Sequence, residues 1–157
     1  MMKISSKAST NLSIALSIVF FVALVVGMAI LPMFVKILID TPDNIGFRDF
    51  ITDGERMLVL VVAYLIFVVA MIADGILFLL LLRVKNELVF TEKSIALIRG
   101  VSWCAFAVGL LFLILGYYFQ LALVVAAAAV FLGLCLRVVK NVIETATEIK
   151  CENDLTV

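Results

Sequence analysis

Four long apolar stretches, parted by short polar segments, set the pattern of this chain. The first runs from Leu12 to about Val35 and the second from Met57 to Leu82, interrupted once by Asp74. The third is strictly apolar from about Val101 to Tyr118, and the fourth from about Leu121 to Leu136. A helix that crosses hydrocarbon needs roughly 20 apolar residues, with a range of about 17–25. The last two stretches reach that length through Ile95-Ala96-Leu97-Ile98 and Val138-Val139. The expected spans are therefore 12–35, 57–82, 95–118 and 121–143. The fold class this predicts is all-α: an integral membrane four-helix bundle forming a single domain over residues 1–157, with helices 3 and 4 extended into the cytoplasm.

The first stretch follows Lys3 and Lys7, as the apolar core of a signal peptide would. Such a core is about 7–15 residues long and ends at a small-x-small cleavage site. This run is longer and carries no convincing site, so a retained helix is expected. Gly27 and Pro32 are expected to bend it, because proline removes a backbone donor.

The connections read differently from one another. Spans three and four must be joined by a tight hairpin around Tyr117-Tyr118-Phe119-Gln120, whose aromatic rings suit the membrane–water interface. The loop from about Lys36 to Arg56 carries turn signals at Pro42, Asp43, Asn44 and Gly46. It reads either as a solvated acidic loop or as a short interfacial helix with Phe47, Phe50 and Ile51 on its apolar face. In the loop from Arg83 to Gly100, Thr91 is the expected N-cap of the third helix, and Glu92 complements the helix dipole at the first position. Phe90 and Ile95 fit the two positions of a hydrophobic staple.

Beyond Leu136 the pattern stays helical. Val138, Val142, Ala146 and Ile149 recur at spacings that place them on one helix face. Lys140, Glu144 and Glu148 lie on another, with a favourable pair at Lys140 and Glu144. A helical tail over about 137–152 would project roughly 20 Å, at 1.5 Å per residue. Its apolar stripe needs a partner: the extension of the third helix, a second copy of the chain in a homo-oligomer, or another protein.

Charge sets the orientation. Lys3 and Lys7, the loop cations Arg83, Lys85, Lys93 and Arg99, and the tail cations Arg137, Lys140 and Lys150 make nine on one side. The other side has three: Lys36, Arg48 and Arg56. The positive-inside rule then puts both termini in the cytoplasm, and a bacterial inner membrane is the expected location.

Composition supports this solvent and narrows the chemistry. The 157 residues are 66% hydrophobic, with a mean hydropathy of +1.29. Soluble domains are about 45–50% apolar. Twelve basic residues balance twelve acidic ones, so direct nucleic-acid binding is not expected. The chain has no histidine, which removes the commonest general base and metal ligand. Cys104, Cys135 and Cys151 form no CxxC pair, so neither a disulfide framework nor a metal site is expected. Cys104 and Cys135 read as small packed hydrophobes and Cys151 as a free thiol. No catalytic set, cofactor motif or paired carboxylates occur in the spans, and the expectation is a non-enzymatic protein with no cofactor and no metal.

Asp74 is the exception inside a span. An intramembrane carboxylate is costly and is a functional candidate by default. Ser17 on the first helix and Ser102 on the third lie at similar depth, as does Ser13, and Arg99 is placed to reach part of the way. The set reads as a proton or cation site, or as a hydrogen-bonded carboxyl that locks helix packing. Ala105 with Gly109, and Ala129 with Gly133, have the small-xxx-small spacing that lets helices three and four approach closely.

Two segments carry a resemblance. One is Glu87-Leu88-Val89-Phe90-Thr91-Glu92-Lys93-Ser94. The other is the ending Glu148-Ile149-Lys150-Cys151-Glu152-Asn153-Asp154-Leu155-Thr156-Val157. With four spans in about this length, the chain resembles the YoaS-like family of small bacterial membrane proteins of unknown function, over nearly its whole length. Cys151 departs from the polar residue expected there. The resemblance implies a four-helix membrane protein, often encoded beside a small Cro/CI-type helix-turn-helix regulator, with no defined catalytic residues. A regulatory or sensory protein that binds such a regulator is one expected function. Its contact surface would be drawn from Phe90, Thr91, Val142, Ala146, Ile149, Asp154, Leu155, Thr156 and Val157. A small transporter, channel or antimicrobial-resistance or immunity protein using Asp74 is the alternative, and a structural subunit is a third.

Overall fold

The computed structural model describes residues 6–40, 52–86 and 91–155. They form helices α1 (Ser6–Asp40), α2 (Asp53–Lys85), α3 (Glu92–Gly116) and α4 (Leu121–Leu155). All four are long and apolar enough to cross a membrane. Helices satisfy their own backbone groups, which hydrocarbon requires. Even α3, the shortest at 25 residues, is about 37 Å long against a hydrocarbon layer of about 30 Å.

The distribution of side chains is that of a lipid-solvated protein. Only 11–17% of each apolar stretch is buried inside the protein. Leu16, Val19, Val26, Val124 and Phe131 are all more than half exposed. In water such a surface would aggregate. The four helices mark a multi-pass membrane protein.

The helices run alternately up and down, and each packs on its neighbour in the chain: α1 on α2, α2 on α3, α3 on α4. The backbones of α1 and α4 do not approach one another. The bundle is therefore a row that curls without closing. At the end where α1 meets α2, Leu31, Val35, Val59 and Tyr118 form the buried core. The same end holds an apolar cavity of about 220 Å³, reached by Leu31 and Val35 of α1, Ala63 and Phe67 of α2, Leu115 of α3 and Ala122 of α4.

The α3–α4 contact is the closest. Small residues of α3, namely Ser102, Gly109 and Gly116, recur at seven-residue steps and are all buried. On α4, Ala122, Ala126 and Gly133 are buried and face them. A Cβ on Gly109 would stand 2.8 Å from Cγ2 of Val130 and 3.4 Å from the Ala126 carbonyl oxygen. A Cβ on Gly133 would meet the Phe106 ring at 3.1 Å. The expected spacing of Ala105 with Gly109 and Ala129 with Gly133 thus lies at this seam, and Gly116 extends it.

Helix ends follow local chemistry. Thr91 has extended backbone, and its hydroxyl accepts from the Ser94 N–H at 3.4 Å, so α3 starts at Glu92 as its cap predicts. At α2, the Glu55 carboxylate accepts from the Thr52 N–H and hydroxyl, each at 2.8 Å. Arg56 of α2 pairs with Asp40 at the end of α1. The turn Tyr117–Gln120 joins α3 to α4, with Tyr118 buried and Tyr117 exposed. Gly27 and Pro32 lie within α1, which continues through both. The choice between solvated loop and interfacial helix for Phe47, Phe50 and Ile51 lies outside the described residues, as does Phe90 of the expected staple.

Candidate functional site

Two polar links are buried among otherwise apolar helices. The Ser17 hydroxyl donates to Oδ1 of Asp74 at 2.9 Å. Both residues are 5% exposed. The helical rise places Asp74 about 13 Å from Arg83 along α2, within the apolar stretch. Among the described residues no basic side chain forms an ion pair with it. The second link is on the other side of the row. The Ser102 hydroxyl donates to the Gly133 carbonyl oxygen at 2.9 Å and ties α3 to α4.

The three polar residues expected to share a depth therefore divide into two bonds. Ser17 and Asp74 come together, whereas Ser102 is turned to the far face of α3. Ser13 bonds to the Ser9 carbonyl of its own helix and Arg99 is exposed, so neither joins Asp74. No group of three or more Cys, Asp or Glu that could hold a metal occurs among the described residues. Cys104 and Cys135 are free thiols on separate helices.

A second surface lies at the end of the bundle where α1 begins and α4 ends. Carrying the α3–α4 register to the start of α3 places Glu92 near Thr147, so the last turns of α4 overshoot α3. Val138 and Val142 are each 63% exposed and Ile149 54%, with Ala146 half-buried between them. The apolar stripe predicted on this helix thus faces outward. Lys140 and Glu144 pair on the adjoining face, one turn apart. Of the other residues expected on this surface, Thr91 is committed to capping α3. Asp154 and Leu155 lie in the last turn of α4. Phe90, Thr156 and Val157 fall outside the described residues.

One contact was not foreseen. The Arg137 guanidinium of α4 lies 5.2 Å from the Trp103 ring centre and 5.6 Å from that of Phe106. Cation–π geometry of this kind holds an arginine at the edge of an apolar surface. The sequence signal is an arginine at the end of span four and a tryptophan in span three; pairing them requires the helix register.

Residues 48–157, more than two thirds of the chain, match the family described as "Protein of unknown function (DUF2975)". The chain belongs to this family. The match takes in α2, α3 and α4, and with them Asp74, Ser102 and the exposed stripe of α4. Membership agrees with the expectation of a family without an assigned function. No curated protein and no solved structure matches the chain.

Proposed function

We infer that this DUF2975 member is a non-enzymatic regulatory or sensory protein of a bacterial cytoplasmic membrane, which docks a small soluble helix-turn-helix regulator at its termini. The observation that carries the reading is the exposed Val138–Val142–Ile149 stripe of α4, which runs alongside the start of α3 at Val138 and Val142 and passes beyond it at Ile149. A helix presenting apolar side chains at these spacings suits helix-in-groove recognition. The excess of cations at this end favours a cytoplasmic face, where such a regulator would be found. The YoaS-like resemblance is what narrows the partner to a DNA-binding protein. Holding the regulator at the membrane would keep it from DNA, with the membrane protein itself making no nucleic-acid contact.

The test is a pull-down from native membranes with tagged full-length protein, scored for a small DNA-binding protein. Val142→Glu with Ile149→Glu should abolish capture while the spans still insert, as should truncation after Leu136. Undiminished capture by the charged variant would reject the reading. Loss of self-association in place of partner capture would assign the stripe to a homo-oligomer.

The buried Asp74 supports a second reading, transport or protection through an intramembrane carboxylate. Asp74→Asn would then abolish flux in liposomes or protection in cells. Wild-type liposomes that carry no flux under any imposed gradient would count against it.

A further inference from the structure

We propose that the crevice between the end of α2 and the start of α3 is a binding site for the headgroup of an anionic phospholipid. The crevice holds about 500 Å³. Leu79, Leu82, Arg83 and Asn86 line it from α2, and Lys93, Ala96 and Leu97 from α3. The spacings are those of single helix faces: i, i+3, i+4, i+7 on α2 and i, i+3, i+4 on α3. Two faces of matching character meet there.

The arrangement is graded along the membrane normal. Leu79, Leu82 and Leu97 belong to the apolar stretches, whereas Asn86 stands at the C-cap of α2 and Lys93 in the first turn of α3. Arg83 lies about 6 Å along the helix from Leu79. An amphipathic ligand with an anionic head and hydrocarbon tails fits that order: phosphate between Arg83 and Lys93, with Asn86 as a neutral hydrogen-bonding group, and acyl chains along the leucines. Among the described residues neither cation takes part in a salt bridge. Thr91 accepts from the Ser94 and Ile95 N–H groups in the first turn of α3, and the charge attraction proposed here comes from the side chains of Arg83 and Lys93. Basic pockets between membrane helices are suited to anionic headgroups, and each cation near the surface contributes to their attraction.

Phosphate is the shared chemistry of a lipid headgroup and a free anion, and the experiment separates them. Delipidated full-length protein in detergent is titrated with phosphatidylglycerol or with phosphatidylcholine, and bound lipid is counted by native mass spectrometry. Wild type should prefer phosphatidylglycerol. Arg83→Gln or Lys93→Gln should each weaken that binding about fivefold, and the two together about thirtyfold. Arg83→Lys should retain most of it, and Lys36→Gln at the opposite end of the bundle should change nothing. Unaltered phosphatidylglycerol binding by the double variant overturns the proposal. Displacement of the lipid by inorganic phosphate at equal concentration also overturns it, and assigns the site to a free anion. Should the double variant fail to elute as a single species, the two single variants and Arg83→Lys decide the outcome.

Discussion

The hydroxyl of Ser17 donates to Asp74 Oδ1 at 2.9 Å, and the bond joins α1 to α2 inside the apolar part of the bundle. Interhelical hydrogen bonds in membranes contribute about 0.6 kcal/mol on average and up to about 1.7. Ser17→Ala is expected to destabilise the protein by about that amount in detergent unfolding. Asp74→Asn keeps an acceptor oxygen of the same shape at the same place and should cost less than Asp74→Ala, which removes it. Equal costs for the two Asp74 variants would mean that the acceptor oxygen retained by asparagine contributes nothing.

Helix contact at Gly109 is tight enough to rank substitutions. Its missing Cβ would fall 2.8 Å from Val130, with the Ala126 backbone behind it, whereas Gly75 has nothing within 4 Å. Gly109→Ala should destabilise by about 1–3 kcal/mol through overpacking. Gly75→Ala removes a glycine from a helix interior and should be neutral or stabilising by up to about 1 kcal/mol. Thermal unfolding of the two variants side by side reads the difference in sign.

Sequence carries depth along a helix better than it carries direction around one. Four apolar runs of spanning length made the four helices legible, and Thr91 followed by Glu92 placed the start of α3 at the residue where it begins. Asp74, Ser13, Ser17 and Ser102 were legible as polar exceptions at matching depth, but which serine meets the carboxylate was not. Ser102 shares that depth, yet it bonds to Gly133, because α3 stands between α2 and α4 and turns this residue to the latter. The tail periodicity predicted which residues share a face of α4 but left open what covers them; Val142 and Ile149 prove exposed. The apolar cavity left no mark in the sequence, since its lining has the same composition as the lipid-facing surface.

Trp103 is the single tryptophan of the chain, so its fluorescence reports directly on the Arg137 contact. Arg137→Gln removes a cation 5.2 Å from the ring centre and should change the emission spectrum in detergent and in bilayers. Lys140→Gln removes a cation that pairs with Glu144 instead, and should leave the spectrum as it was. The stability cost of Arg137→Gln is expected at about 0.5–1 kcal/mol, the range of an exposed cation–π contact. An unchanged spectrum in Arg137→Gln would show that the guanidinium does not rest on the indole.

The cavity at the loop end offers a test in which stability should rise. Its lining is apolar, and Ala63 on α2 is one of the small side chains that leave space there. Empty volume between packed helices costs about 24 cal/mol per Å³. Ala63→Leu fills part of it and should stabilise the protein by about 1–2 kcal/mol in detergent unfolding. Ala128→Leu, which adds the same group at an exposed position of α4, should give no such gain. A loss of stability in Ala63→Leu would mean that neighbouring side chains must shift to admit it, which is the overpacking response and not cavity filling. Equal, small effects at both positions would mean that acyl chains or detergent already occupy the space between α1 and α4, so that the leucine displaces one hydrocarbon with another.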